Sequence, residues 1–194
     1  MAFQSVDPAS AAAAPLRLDR DRKETNFYYF AYGSCMCPVD LKRSLGEKTH
    51  HYVIGAAVLK GYRLGFYRRS RRRQCGVLDV VKDPTMSVHG VLYQLPWRLS
   101  DRLDAREEGY NRETVEVECR GNRYHCTRTY SVMKKLTQEL APNDWYFNVV
   151  LRGALTCGLP EPYCWRLFHH MRQLQQQTWR EHIAISDYLE SQVS

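Results

Sequence analysis

Gly33-Ser34-Cys35-Met36 closes an aromatic run, Asn26-Phe27-Tyr28-Tyr29-Phe30-Ala31-Tyr32, and leads directly toward Pro38. A strand that stops at a glycine and hands over to a helix leaves the backbone N–H groups of Gly33 to Met36 without ladder or helix partners. Those amides can converge on an anion or a carbonyl oxygen. The same pattern also suits a plain connection, since one glycine is no phosphate fingerprint. Cys35 adds a potential nucleophile, but no G-x-S-x-G elbow surrounds it and no histidine is singled out as its base. A second chemical feature is the run Arg68, Arg69, Arg71, Arg72 and Arg73, five guanidiniums within six residues of a chain whose formal net charge is +7. Such a run reads first as a solvated hairpin tip and second as a nucleic-acid contact. The solvated reading is favoured, because Tyr62, Phe66 and Tyr67 alternate as strand residues rather than as stacking platforms.

Seven cysteines cannot all pair, which suits a reducing compartment, and none forms the paired C-x-x-C or H-x-x-x-H spacing of a zinc site. No metal and no cofactor is expected. No apolar run approaches the roughly 18 residues of a membrane span, and Ala11 to Ala14 is too short for a signal-peptide core, so a cytoplasmic location is expected.

The elements that must position these residues follow from periodicity. The 194 residues suit one domain with tails. Residues 1–25, an alanine run with two prolines and a charged patch, are expected to be a mobile leader. The strand from Asn26 carries no polar alternation and should be covered on both faces. Pro38, Asp40, Leu41 and Leu45 predict a helix. Tyr52 to Leu59, Gly61 to Phe66, Gly76 to Val81 and His89 to Leu95 predict four strands, with Asp83-Pro84 as a turn. Leu99 to Glu108 predicts a helix capped by Ser100 and ended by Gly109. Thr114 to Cys119 and Tyr124 to Met133 form a hairpin about Gly121-Asn122. Pro142 to Gly158 predicts a helix burying Trp145, Val149 and Leu155, and a last helix near Pro162 presents Trp165, Phe168 and Met171 to the core. The domain is expected over 26–175. A helical tail over 176–194, with Trp179, Ile183 and Leu189, can dock on the domain or on a second copy as a homodimer.

Three stretches together resemble the γ-glutamylcyclotransferase-like (AIG2-like) superfamily. Tyr29-Phe30-Ala31-Tyr32-Gly33-Ser34 with Met36 is similar to its signature loop, and Leu103-Asp104-Ala105-Arg106-Glu107 to its L-D-x-x-E segment. Pro142, Tyr146, Gly153-Ala154, Gly158-Leu159-Pro160 and Tyr163 are similar to its C-terminal pattern. His89-Gly90-Val91-Leu92-Tyr93 resembles the V-x-G-x-L-Y strand between them. The resemblance covers roughly residues 27 to 170. It implies an α+β fold, a small mixed β-barrel flanked by helices, and a small-molecule γ-glutamyl substrate released as 5-oxoproline by attack of its own α-amine. It also implies a glutamate acid/base and a substrate site made of Tyr32, Gly33, Ser34, Cys35, Met36 and Tyr146. Spacing from Leu103-Asp104 selects Glu107 as that glutamate, while adjacency to Gly109 selects Glu108. Glu107 is preferred because the helix fixes its face. Cys35 stands where many members have asparagine. A non-catalytic metabolite-binding module on the same fold is the alternative, with a nucleic-acid-associated protein behind it.

Overall fold

The computed structural model describes residues 24 to 191, so the leader expected over 1–25 lies outside them apart from its last two residues. Five strands close into a barrel in the order β1-β3-β2-β4-β5. β1 (Asn26–Ala31) is flanked by β3 (Cys75–Pro96), antiparallel with Phe30 opposite Leu92, and by β5 (Asn122–Val132), parallel at Tyr29 opposite Arg128. This central position explains the unbroken aromatic run: Tyr29, Phe30 and Ala31 are all buried, with neighbours on both edges and both faces.

The four strands expected between residues 52 and 95 are two. β2 (Val53–Ser70) and β3 are single bent strands, paired in antiparallel from Val53–Tyr93 to Ser70–Cys75. The expected breaks survive as register shifts. Lys60 pairs with Ser87 and Tyr62 with Lys82, so Gly61 faces the looped-out Asp83-Pro84 region. A proline without a donor is tolerated there because the ladder already skips it. Bulges let long strands curve enough to close a five-stranded barrel.

β4 (Tyr110–Cys119) and β5 make the expected hairpin, with β4 beginning directly after Gly109. α1 (Pro38–Leu45) starts on its proline and buries Leu41 and Leu45. α2 (Ser100–Arg106) buries Leu103, but Ser100 does not cap it. Its hydroxyl instead accepts from the Arg128 guanidinium at 2.9 Å, an ordered donor that outcompetes a local backbone N–H. α3 (Asp144–Thr156) is capped by Asn143, whose side chain accepts from the Tyr146 amide. Its inner face is Tyr146, Phe147, Val149, Val150, Gly153 and Ala154, whereas Trp145 (44% exposed) and Leu155 (61%) lie on the solvent side, contrary to expectation. Size alone misled the assignment, because the small Gly153 and Ala154 mark the side of closest approach.

α4 (Glu161–Ser191) likewise buries Tyr163, Cys164, Leu167 and Met171 and leaves Trp165 exposed. The boundary expected at 175–176 falls inside this single helix. Packing extends to Gln175, whose side-chain amide donates to the Pro142 carbonyl and the Asp144 carboxylate. Beyond it, Trp179, Ile183 and Ile185 do not pack on the domain. Among the described residues no helix is long and apolar enough to cross a membrane, and all seven cysteines are free.

Candidate active site

A cavity of about 1160 Å³ opens where the end of β1, the end of α2, the start of α3 and the β2–β3 hairpin meet. It is lined by Tyr32, Gly33, Ser34, Cys35, Glu107, Glu108 and Tyr146 among others, so all but one of the sequence-predicted site residues converge there. Met36 is the exception: its side chain is fully buried and the cavity does not reach it. Its backbone is also committed, the amide donating to the Gly33 carbonyl at 2.9 Å and the carbonyl accepting from the Tyr93 hydroxyl. The turn is thus a tight 3-10 turn over Ser34 to Met36, and only the amides of Gly33, Ser34 and Cys35 precede its first internal bond.

Two packing devices hold this turn. A Cβ on Gly153 would sit 2.5 Å from the Cys37 amide nitrogen, so the absence of a side chain lets α3 lie directly against the loop. Tyr32 sends its hydroxyl to the Tyr130 carbonyl at 2.6 Å, tying the end of β1 to β5. Tyr146 accepts from the Leu78 amide at 3.1 Å and so fixes its ring in the cavity wall.

Glu107 follows the last residue of α2, and Gly109 at φ +81 turns the chain into β4 in a conformation that a side chain would strain. Asp104, one turn earlier, accepts from the Tyr130 hydroxyl and anchors α2 to β5. The Glu107 carboxylate is thereby aimed inward, 13% exposed, while Glu108 faces solvent. Cys35 Sγ donates to Glu107 Oε1 at 3.2 Å. Burial pushes the Cys35 thiol up to about 12, despite the opposing pull of Arg106, which keeps it an S–H donor and not a thiolate nucleophile. Burial also raises the Glu107 carboxyl above its ordinary 4.5; Arg106, the Cys35 hydrogen bond, Arg73 and Arg68 oppose this without cancelling it. A carboxyl raised in this way is a stronger proton acceptor than an exposed one and can both take and return a proton during the reaction.

Sequence reasoning missed the cations around this carboxyl. Arg106 is 10% exposed and donates to Cys35 Sγ (2.9 Å), Ser34 Oγ (3.1 Å), Asp40 Oδ2 (2.6 Å) and Ser44 Oγ, with its Nε 3.6 Å from Glu107 Oε1. Asp40, read as a helix-start residue, is buried and serves as the counter-ion of Arg106. The arginine hairpin is a solvated tip only in part. Arg73 reaches Ser34 Oγ at 3.4 Å and stacks over Trp145 and Tyr146, while Arg68 lies over the Tyr110 ring at 4.5 Å. Only Arg69, Arg71 and Arg72 remain exposed. The one sequence signal was the aromatic set able to receive inward guanidiniums, and it is spread over distant segments.

Residues 87–167 match the AIG2-like family model. The chain is also 34% identical over 160 residues to "Putative gamma-glutamylcyclotransferase YkqA" of Bacillus subtilis, covering 79% of this chain and 55% of that protein. The family-model match and this relative support the AIG2-like, γ-glutamylcyclotransferase-like superfamily for this chain. It spans about half the length of the curated relative it matches. The crystal structure of YkqA superposes with a TM-score of 0.69 at 33% identity, over 77% of this chain and 55% of that one. A structure named "Gamma-glutamyl cyclotransferase" gives 0.66 at 23% identity, over 74% of this chain and 86% of that one. An uncharacterized protein from Homo sapiens gives 0.65 at 24%, over 73% and 86%. The last two likenesses show the shared α+β barrel fold of the superfamily. The matched family region contains α2, Glu107, the β4–β5 hairpin and α3, which form one side of the cavity, whereas the Gly33–Cys35 turn and the arginine hairpin lie outside the matched region.

Proposed function

We propose that this protein is a cyclotransferase that releases 5-oxoproline from a γ-glutamyl conjugate, with Glu107 as the proton carrier. The observation that carries the reading is the inward Glu107 carboxyl, raised by burial and hydrogen-bonded to Cys35 beside the amides of the Gly33–Cys35 turn. Those amides suit the glutamyl α-carboxylate or the oxyanion that develops on the γ-carbonyl. Glu107 takes a proton from the α-ammonium, and the freed nitrogen attacks the γ-carbonyl carbon. The amide C–N bond then breaks. Two protons leave the α-nitrogen in the overall reaction and both finish on the departing amine, so one carboxyl serves both transfers. Both reacting groups belong to one molecule, which supplies the proximity that makes ring closure fast without a cofactor.

The test is 5-oxoproline release from a panel of γ-glutamyl amino acids, γ-glutamyl amines and glutathione. Because Glu107 must be ionised to act as base, the acid limb of kcat/KM is expected above pH 4.5, displaced in the direction burial imposes. A limb at or below that value would contradict Glu107 as the proton carrier.

Cys35→Asn should remain folded and active within a few-fold. The asparagine amide can donate to Glu107 through its nitrogen and accept from Arg106 through its oxygen, reproducing the two bonds of the thiol. An inert but folded variant, measured by turnover and thermal unfolding, would make the sulfur itself a participant.

A further inference from the structure

Eight arginines and three carboxylates line the cavity. Of the carboxylates, Asp40 is held by Arg106, Glu107 is the proton carrier of the proposed reaction, and Glu108 faces solvent. The positive charge is therefore in surplus, and two of its carriers are incompletely satisfied. Arg68 has a buried Nη1 with no hydrogen-bond partner, and among the described residues no carboxylate pairs with it. Arg73 reaches Asp40 only at 3.8 Å and Ser34 at 3.4 Å, both sites that Arg106 already occupies at shorter range. Both guanidiniums are nonetheless held in place by aromatic faces: Arg68 by Tyr110, and Arg73 by Trp145 and Tyr146. Ordered, half-desolvated cations with unused donors are a prepared anion site, because the cost of orienting them is met before the ligand arrives.

The glutamyl half of a substrate brings one anionic group, its α-carboxylate, for which the Gly33–Cys35 amides are available. A cavity of about 1160 Å³ also exceeds what a single amino-acid moiety occupies. We propose that Arg68 and Arg73 read the amine half of the conjugate, and that this amine carries its own anionic groups, in the class of acidic amino acids and short acidic peptides. The inference rests on the cyclotransferase reading and names its substrate class. It also accounts for Arg68 and Arg73 lying against the cavity's aromatic rings while Arg69, Arg71 and Arg72 stay exposed.

The experiment compares γ-glutamyl-glutamate with γ-glutamyl-glutamine, an isostere that keeps the α-carboxylate of the amine half but loses the side-chain charge, with γ-glutamyl-ethylamide, whose amine half carries no charge, and with γ-glutamyl-lysine, whose amine half has a cationic side chain. The wild-type protein should favour γ-glutamyl-glutamate over γ-glutamyl-glutamine by roughly tenfold to a hundredfold in kcat/KM, as one charge-assisted contact predicts. Added salt should shrink that ratio. Arg68→Gln and Arg73→Gln should each reduce the ratio chiefly through KM, and Arg73→Lys should restore part of it. Equal values for the isosteric pair, or a preference for the lysine conjugate, would overturn this inference while leaving the cyclotransferase reading intact. No 5-oxoproline from any conjugate would overturn both.

Discussion

Glu107→Gln should fold, bind γ-glutamyl substrates, and form 5-oxoproline about 10²–10⁴-fold more slowly, the usual contribution of a positioned acid–base group. The amide keeps the shape of the carboxyl and still accepts from Cys35, but it can no longer take the proton of the α-ammonium. The loss should fall on kcat, with KM little changed. Glu108→Gln is the matched control, since that side chain is exposed and its loss leaves the cavity floor untouched. Collapse of the second with survival of the first would move the role to Glu108. The variant should also be no less stable than wild type near neutral pH. In the unfolded chain Glu107 ionises at its ordinary 4.5, and in the folded protein at a higher pH. Between the two, the unfolded chain has released a proton that the folded protein still holds, so the wild type loses stability as pH rises through that window. Removing the titration removes the loss. Thermal unfolding of both proteins at acid and neutral pH measures it, and a variant markedly less stable at neutral pH would contradict the burial argument.

Arg106→Gln should cost about 3–5 kcal/mol of stability, because it leaves Asp40 charged, 5% exposed and without its 2.6 Å partner. Arg73, at 3.8 Å from the same oxygen, can recover part of this by moving closer. Whatever folded protein remains should show the acid limb of its pH–rate profile displaced further upward. Arg106 opposes the burial-driven rise at Glu107, and without it the carboxyl holds its proton to higher pH. The paired change Arg106→Gln with Asp40→Asn should recover much of the lost stability, since no buried charge is left alone, yet should keep the displaced limb. Recovery of both together would mean that Arg106 acts on Glu107 only through the position of α1. Chemical denaturation and kcat/KM against pH measure the two readouts separately.

The comparison of α2 with the arginine hairpin shows where local pattern suffices. Leu99, Leu103 and Gly109 specify a short helix and its stop, while the choice between Glu107, favoured by the resemblance to the L-D-x-x-E segment, and Glu108, favoured by adjacency to Gly109, stayed open in the sequence; in the structure the Glu107 side chain is the one turned inward. The turn at Gly33 was legible from local pattern as well: a buried aromatic run must end, and the residue types at its end leave few conformations. Trp145, Leu155 and Trp165 were misplaced because two faces of a helix can both carry large side chains, and only the neighbour decides which is covered.

The sequence by itself determined the family resemblance, the strand-to-helix turn at Gly33, the β4–β5 hairpin and the short helix that ends before Gly109. These depend on residues close together in the chain, where backbone periodicity and glycine position constrain the outcome directly. Only the tertiary structure decided that Asp40 and Arg106 form a buried pair, that Cys35 donates to Glu107, and that Arg68 and Arg73 turn into the cavity. Each of those joins segments tens of residues apart, and whether a guanidinium faces water or a wall depends on which aromatic ring and which carboxylate barrel closure brings beside it.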